Sequence, residues 1–237
     1  MTVVESAQRF GAAQRTRHWR RWTALVVVAL LVALAVWVVW FSSLLSVREV
    51  RVVGAVNVSA DQVRQAAAVP TGLPLARADV DGITARVAAI PRVAAVEVRR
   101  GYPDVLVIVV TERTPVAVTR QGAELVYVDA TGVRFGAVSV APHGLPVVSA
   151  STDPALRSAV AVVAALPTTL RSTVTAVAAH SRDDVVLRLP DGATVQWGSA
   201  EQSDRKAAVL AALLHVHAAT YDVSAPDLPT SRGSLHP

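Results

Sequence analysis

Ser203-Asp-Arg-Lys206 is the stretch whose residue types and spacing come nearest to covalent chemistry. A serine one helical turn ahead of a lysine is the nucleophile pair of penicilloyl-serine enzymes. Those enzymes also use a Lys-Thr-Gly strand, and Lys206 is the only lysine in this chain. The pair therefore reads better as part of a charged helix face. The six histidines are His18, His143, His180, His215, His217 and His236. His215 and His217 fall two apart on an expected helix, so they point about 200° apart and share a metal ion poorly. The sequence holds no His-Glu-x-x-His, no Gly-rich phosphate loop and no Gly-x-Ser-x-Gly. Asp183-Asp184 precedes an expected strand and reads as a solvated turn. Asn57-Val-Ser59 matches a glycosylation acceptor, but Ser59 is better used as a helix cap. With no cysteine, disulfides, thiol nucleophiles and thiolate zinc sites are excluded. The expectation is a chain without catalytic residues, metal or cofactor.

Composition shows what must hold any functional residues in place. The 237 residues are 52% hydrophobic and 17% charged. Soluble chains run nearer 25% charged, so part of the apolar content belongs in lipid. The charge is placed unevenly. Residues 1–21 carry Arg9, Arg15, Arg17, Arg20 and Arg21 against Glu5 alone, while the chain from Arg48 onward is nearly balanced. A nucleic-acid face would need a basic stripe on a folded domain, so that class is set aside. Trp22 to Val47 holds no charge. Twenty helical residues span about 30 Å, the thickness of the hydrocarbon layer. Trp22 at one end and Trp37, Trp40 and Phe41 toward the other fit rings anchoring at the two interfaces. The run is too long for a cleaved signal, and Phe41-Ser-Ser-Leu-Leu-Ser46 offers no small-x-small site. The five arginines place the N-terminus in the cytoplasm. The expectation is a retained single-pass anchor, type II, in the inner (plasma) membrane.

Two modules follow. Val47–Val53 reads as a strand ended by Gly54. Ser59 and Gln62 form a capping box for a short helix to about Ala68, and Pro70 and Gly72 break the chain. Asp79 caps a second helix, with Val80, Ile83, Val87 and Ile90 at helical spacing, and Pro91 stops it. Val93–Arg100 is extended, Gly101–Asp104 turns, and Val105–Thr111 is a β-branched strand. In the second module Glu124–Asp129 is a strand and Val133–Phe135 pairs back on it. Asp153-Pro154 starts a helix capped by Asp153, with Leu156, Val160 and Val163 on one face. Val185–Leu189 and Ala193–Trp197 flank the Pro190-Asp-Gly192 hairpin turn. Ser199 and Gln202 suggest a capping box for a helix to about His217, with Leu210, Leu213 and Leu214 inward. Ala219–Ser224 is a last short strand with Tyr221 and Val223 on one face. Pro226 and Pro229 argue for a loose tail.

Several of these segments resemble a known family. Val52-Val-Gly54, Ile90-Pro-Arg-Val93, Val98-Arg-Arg-Gly-Tyr-Pro103, Leu106-Val-Ile108 and Glu112-Arg-Thr-Pro-Val-Ala117 resemble the POTRA domain of the bacterial cell-division family FtsQ, also called DivIB. Val126-Tyr-Val-Asp129, Gly132, Phe135, Leu145-Pro146, Leu189-Pro-Asp-Gly192, Val195, Gly198, Lys206 and Tyr221-Asp-Val223 continue the likeness. It covers roughly residues 20–225, and the Ala- and Arg-rich composition is similar to that of actinobacterial members. The implied fold class is α+β: one transmembrane helix, a POTRA domain (β-α-α-β-β), then a mainly antiparallel β domain with helices. The implied division is a basic tail at 1–21, transmembrane helix at 22–42, POTRA domain at 46–115, β domain at 116–225 and flexible tail at 226–237. The POTRA/β boundary falls between Thr111 and Ala117.

The resemblance implies a non-enzymatic scaffold of the division machinery at the septum. It links early and late division proteins and bears on septal peptidoglycan synthesis. Implied partners are FtsB/DivIC-like and FtsL-like membrane proteins, with FtsW and FtsI acting downstream and FtsK as a further candidate. A partner strand adding to a sheet edge gives affinity through main-chain bonds. In this family the added strand lies near the C-terminal strand, which maps to Ala219, Thr220, Tyr221, Asp222, Val223, Ser224 and Ala225. Tyr221 is either the anchor of that contact or a core residue of its own module. Arg99, Arg100 and Tyr102 form a candidate docking patch on the POTRA domain. Two other classes are a POTRA protein of secretion or outer-membrane assembly and an anchored cell-wall enzyme. The first usually carries several POTRA repeats or a β-barrel, and no train of alternating ten-residue strands is present.

Overall fold

The structure, a computed structural model, describes residues 10–42 and 45–233. Helix α1 runs over Phe10–Phe41, so it begins inside the basic tail rather than at Trp22. Its apolar part, Trp22–Trp40, is 19 residues long and none of it is buried by protein. At 1.5 Å per residue that part is about 28 Å long, a membrane crossing by length and composition.

The first unit ends at Glu112. After α1 it contains β1 (Glu49–Val53), α2 (Ala60–Ala67), a 3-10 turn (Leu75–Arg77), α3 (Val80–Ala88), β2 (Val93–Gly101) and β3 (Val105–Glu112). The sheet order is β1-β3-β2, with β1 and β3 parallel and β2 and β3 antiparallel. Alternation along β3 sends Leu106, Ile108 and Val110 to one face, where they pack with Val63, Ala67, Ile83 and Val87 from the helices. Both expected caps are present. Ser59 Oγ accepts from the Gln62 N–H at 3.1 Å, and Asp79 Oδ1 from the Gly82 N–H at 3.0 Å. Gly54 has φ +85°, and a Cβ there would meet Val110 O at 2.2 Å, so only glycine closes β1 against β3.

The second unit begins at Arg113 and builds one nine-stranded sheet. Its elements are β4 (Pro115–Gln121), β5 (Glu124–Asp129), β6 (Arg134–Val138), β7 (Val147–Ala150), α4 (Asp153–Ala165), α5 (Thr168–Arg171), β8 (Ala176–Ala179), β9 (Val185–Arg188), β10 (Thr194–Gly198), α6 (Ser203–Leu213), β11 (Thr220–Asp222) and β12 (Thr230–Arg232). The spatial order is β12-β11-β10-β9-β8-β7-β4-β5-β6. Five of its eight pairings are antiparallel; β4·β7, β7·β8 and β10·β11 are parallel. Leu156, Val160 and Val163 of α4 pack on Val148, Val177, Leu187, Val195 and Trp197 to form the core.

Four local expectations need correcting. Thr152, not Asp153, caps α4: its hydroxyl accepts from the Ala155 N–H, while Asp153 pairs with Arg134 at 2.9 Å. The Ser199/Gln202 capping box does not form. Gln202 sits in the left-handed region with no side-chain cap bond, and Ser199 Oγ accepts from the Glu201 N–H instead. Helix α6 ends at Leu213, so His215 and His217 lie beyond it and are exposed. The stretch after Pro226 is not wholly loose, because Thr230–Arg232 pairs antiparallel with β11.

Candidate partner interface

The C-terminal end of the nine-stranded sheet is built from the inside out. Tyr221 and Val223 alternate inward, at 2% and 0% exposure. The Tyr221 hydroxyl accepts from the Ala218 N–H at 3.0 Å and donates to Val216 O at 2.7 Å. Tyr221 is thus a core residue of its own module and not a side chain presented to another chain. Backbone bonds fasten β11 to β10: Thr194 N–H donates to Ala219 O and Val223 N–H to Gln196 O. Asp222 Oδ1 accepts from the N–H and the hydroxyl of Ser224, shaping the turn that leaves the strand. Thr220, Ser224 and Ala225 are exposed, and Ala219 and Asp222 are partly covered.

β11 does not offer its outer edge. β12 occupies it with Thr220 opposite Arg232, Tyr221 opposite Ser231 and Asp222 opposite Thr230. All three β12 residues are exposed, and β12 is the end of the sheet. The connecting loop is tied to α6 by an Arg205–Asp227 ion pair. Ala219 N–H donates to Gly233 O at 3.3 Å at the end of this ladder. In the parallel pairing with β10 the backbone groups of Tyr221 face β10, so Thr220 and Asp222 bond β12 through Arg232 and Thr230, and the backbone groups of Ser231 face outward. The open edge was not readable from Thr-Ser-Arg, which has neither β-branched alternation nor an apolar face.

The three POTRA candidates separate. Arg99 pairs with Glu97 at 2.6 Å on the exposed face, and that bond raises the Arg99 pKa and lowers that of Glu97. Arg100 points the other way, as adjacent strand residues must, and donates to Leu75 O and Ala78 O at 2.8 and 2.9 Å. It braces the 3-10 turn, while the residue remains exposed. Tyr102 is 58% exposed at the β2–β3 turn. Along α1, Trp22, Trp37 and Trp40 stand clear of protein. Arg15, Arg17, Arg20, Arg21 and Phe41 lie on α1, but their side chains, and Arg9 altogether, fall outside the described residues.

Ser203 and Lys206 are both buried, and each bonds elsewhere. Ser203 Oγ donates to Ala200 O at 2.8 Å and accepts from Trp197 Nε1 at 3.2 Å. Lys206 Nζ donates to Trp197 O at 3.0 Å and Ser199 O at 2.9 Å. Burial lowers the Lys206 pKa, partly offset by the Glu201 charge. The lysine closes the end of β10 rather than activating a hydroxyl. Among the described residues no group of three His, Asp or Glu side chains is placed to hold a metal.

Two carboxylates that sequence reasoning passed over flank the unit boundary. Glu112 accepts from the N–H groups of Val56, Asn57 and Val58 at 2.6–2.9 Å and from Asn57 Nδ2 at 2.8 Å. Burial pushes its carboxyl up, and those donors outweigh burial and hold its pKa at about 2. Asp129 accepts from Thr131, Val133 and, at 2.6 Å, Arg113. There too burial raises the pKa and the bonds bring it below the usual range. Glu112 and Arg113 adjoin, and a charged pair between two apolar strands was the available signal.

A family model described as POTRA domain, FtsQ-type, matches residues 45–113, and one described as cell division protein FtsQ/DivIB, C-terminal, matches residues 117–228. The cell division protein FtsQ of Mycolicibacterium smegmatis is 42% identical over 187 residues, covering 77% of this chain and 56% of that protein. The chain thus spans little more than half of that relative's length. The FtsQ of Streptomyces griseus is 38% identical over 200 residues, covering 78% of this chain and 96% of that protein. That of Streptomyces venezuelae is 40% identical over 199 residues, covering 78% and 73%. A solved extracytoplasmic domain of Geobacillus stearothermophilus DivIB overlaps 44% of this chain and 92% of its own at 18% identity and a TM-score of 0.37, too slight to argue from. With both family models in chain order behind a helix able to cross a membrane, this chain belongs to the FtsQ/DivIB family of bacterial cell-division proteins.

Proposed function

We propose that this chain is a bitopic scaffold of the division machinery, with its N-terminus in the cytoplasm and both folded units outside, at the septum. It holds FtsB/DivIC-like and FtsL-like membrane proteins together and through them bears on septal wall synthesis by FtsW and FtsI. FtsK is a further candidate partner of the POTRA unit. The reading is supported by family membership. The observation that carries it is the open backbone edge at β12, with no partner strand among the described residues. The binding segment proposed from the sequence, Ala219–Ala225, lies one strand further in. Its role is to hold the edge strand, and the added strand meets Thr230–Arg232.

The test uses main-chain chemistry. Ser231→Pro removes an outward N–H from β12, whereas Ser231→Ala keeps it. In full-length protein the proline variant should pull down at least about tenfold less FtsB/DivIC-like partner, the loss of roughly one or two hydrogen bonds. The alanine variant should bind as the parent does. Thermal unfolding of both should stay close to the parent, since β12 buries no side chain. Full binding by Ser231→Pro would falsify strand addition at this edge.

A further inference from the structure

Three POTRA segments converge on the chain just after the membrane helix. Val47 N–H donates to Leu73 O at 2.8 Å, and Val47 O accepts from Gly72 N–H at 3.0 Å; Ser46 bridges Pro74. Arg48 and Glu49 N–H both donate to Asp104 O, at 2.9 and 3.3 Å. α1 lies against the 3-10 turn Leu75–Arg77. Because β1 and β3 are parallel and β2 runs back, the Gly101–Asp104 turn returns to the end where β1 starts. The apolar span ends at Trp40, seven residues before Val47. Seven residues reach at most about 25 Å, and the contact with the 3-10 turn draws this end much closer.

This end of the POTRA unit carries interfacial chemistry. Arg48 and Arg77 are exposed and have no side-chain partner among the described residues. Tyr102 stands out at the turn, with Pro103 exposed beside it. Glu49, Asp79 and Asp104 are the acidic groups nearby; Glu49 pairs with Arg51, and Asp79 is engaged in capping α3. Arg100, braced on Leu75 O and Ala78 O, keeps the 3-10 turn rigid. Tyrosine prefers the headgroup layer, and arginine near an anionic surface is drawn to phosphate.

We propose that this end is a lipid-docking surface: Arg48 and Arg77 contact the phosphates of anionic phospholipids, and Tyr102 enters the headgroup layer. The POTRA unit then rests on the bilayer instead of swinging from its connector. The inference rests on α1 crossing a membrane and on no partner.

The chain contains no cysteine, so single cysteines give unique spin labels. Full-length protein carrying Leu31→Cys, Tyr102→Cys or Val56→Cys is reconstituted in phosphatidylcholine vesicles with or without phosphatidylglycerol. Collisions with oxygen and with a water-soluble nickel chelate are then compared. Leu31 reports insertion; Val56, 86% exposed and on the loop beyond β1, is the aqueous control. The label at 102 should be shielded from nickel relative to that at 56, more strongly with phosphatidylglycerol. Arg48→Glu with Arg77→Glu should reduce the docked fraction on anionic vesicles by about fivefold or more per arginine. A lipid-exposed label at 31 with a label at 102 as open to nickel as that at 56 overturns docking. Shielding unchanged by the double reversal overturns the headgroup contact. A nickel-accessible label at 31 overturns the membrane span itself.

Discussion

Glu112 collects the N–H groups of three successive residues and an amide N–H, so one carboxylate orders the whole loop that leads into α2. Its pKa, about 2, lies below the ordinary carboxylate value, so the folded state holds the proton less tightly than the unfolded state. The stabilisation is therefore full above about pH 4.5 and fades as pH falls toward 2. Glu112→Gln should cost the POTRA unit roughly 1–2 kcal/mol at neutral pH, allowing for partial solvent screening, and should flatten its acid dependence in that window. Urea titrations at pH 7 and pH 3 would show it; an undiminished acid slope in the variant counts against this assignment. Tyr221 works by a different balance. Tyr221→Phe keeps the ring and orphans a buried N–H and a carbonyl, for about 1–3 kcal/mol. Tyr221→Glu buries a charge and should unfold the second unit, which a shift in its denaturation midpoint would measure. The alternation of Tyr221 and Val223 was legible as one inward face. The destination of the hydroxyl was not, because Val216 and Ala218 become its partners only once the chain has turned after α6.

The short elements mark where sequence patterns stop informing. Helices α2 and α3 were legible because each pairs a capping side chain with apolar spacing, and the β9–β10 hairpin because Pro-Asp-Gly sits between two apolar runs. Strands β7 (Val-Val-Ser-Ala) and β8 (Ala-Val-Ala-Ala) offered no such contrast. They lie in the middle of the sheet and pair in parallel, and such strands lose the polar–apolar alternation of an edge hairpin. At the start of α4 two adjacent residues, Thr152 and Asp153, both have capping chemistry. The backbone decides: Thr152 is extended, at φ −144° and ψ 162°, and its hydroxyl reaches the Ala155 N–H. Thr152→Ala should therefore lower the second unit's stability by about 1 kcal/mol. Asp153→Ala, which gives up a pair with exposed members, should cost under about 0.5 kcal/mol. Equal losses in paired urea melts would return the cap to Asp153.

Each folded unit has its own core. Glu112 bonds only toward the loop before α2, and the Arg113–Asp129 pair lies inside the second unit, with Asp129 7% exposed. Order along the chain was legible at this scale, because hydropathy and charge mark the membrane helix and the motifs mark two modules. The long-range closure was not. β12 is held by backbone groups that every residue carries, so its three side chains gave no sign of it. The same physics makes the units separable. Domains with independent cores unfold as units, and a carboxylate network confined to one core supports that core alone. Asp129→Asn weakens bonds to Arg113, Thr131 and Val133, and its loss should be greatest above the ordinary aspartate pKa, since the folded-state value is depressed. In calorimetry of the full chain in detergent, Glu112→Gln should lower one transition and Asp129→Asn the other, each by several degrees, with the double variant lowering both independently. If either change moved both transitions together, the boundary at Glu112–Arg113 would join the units energetically, and Arg113 would be a strut between them.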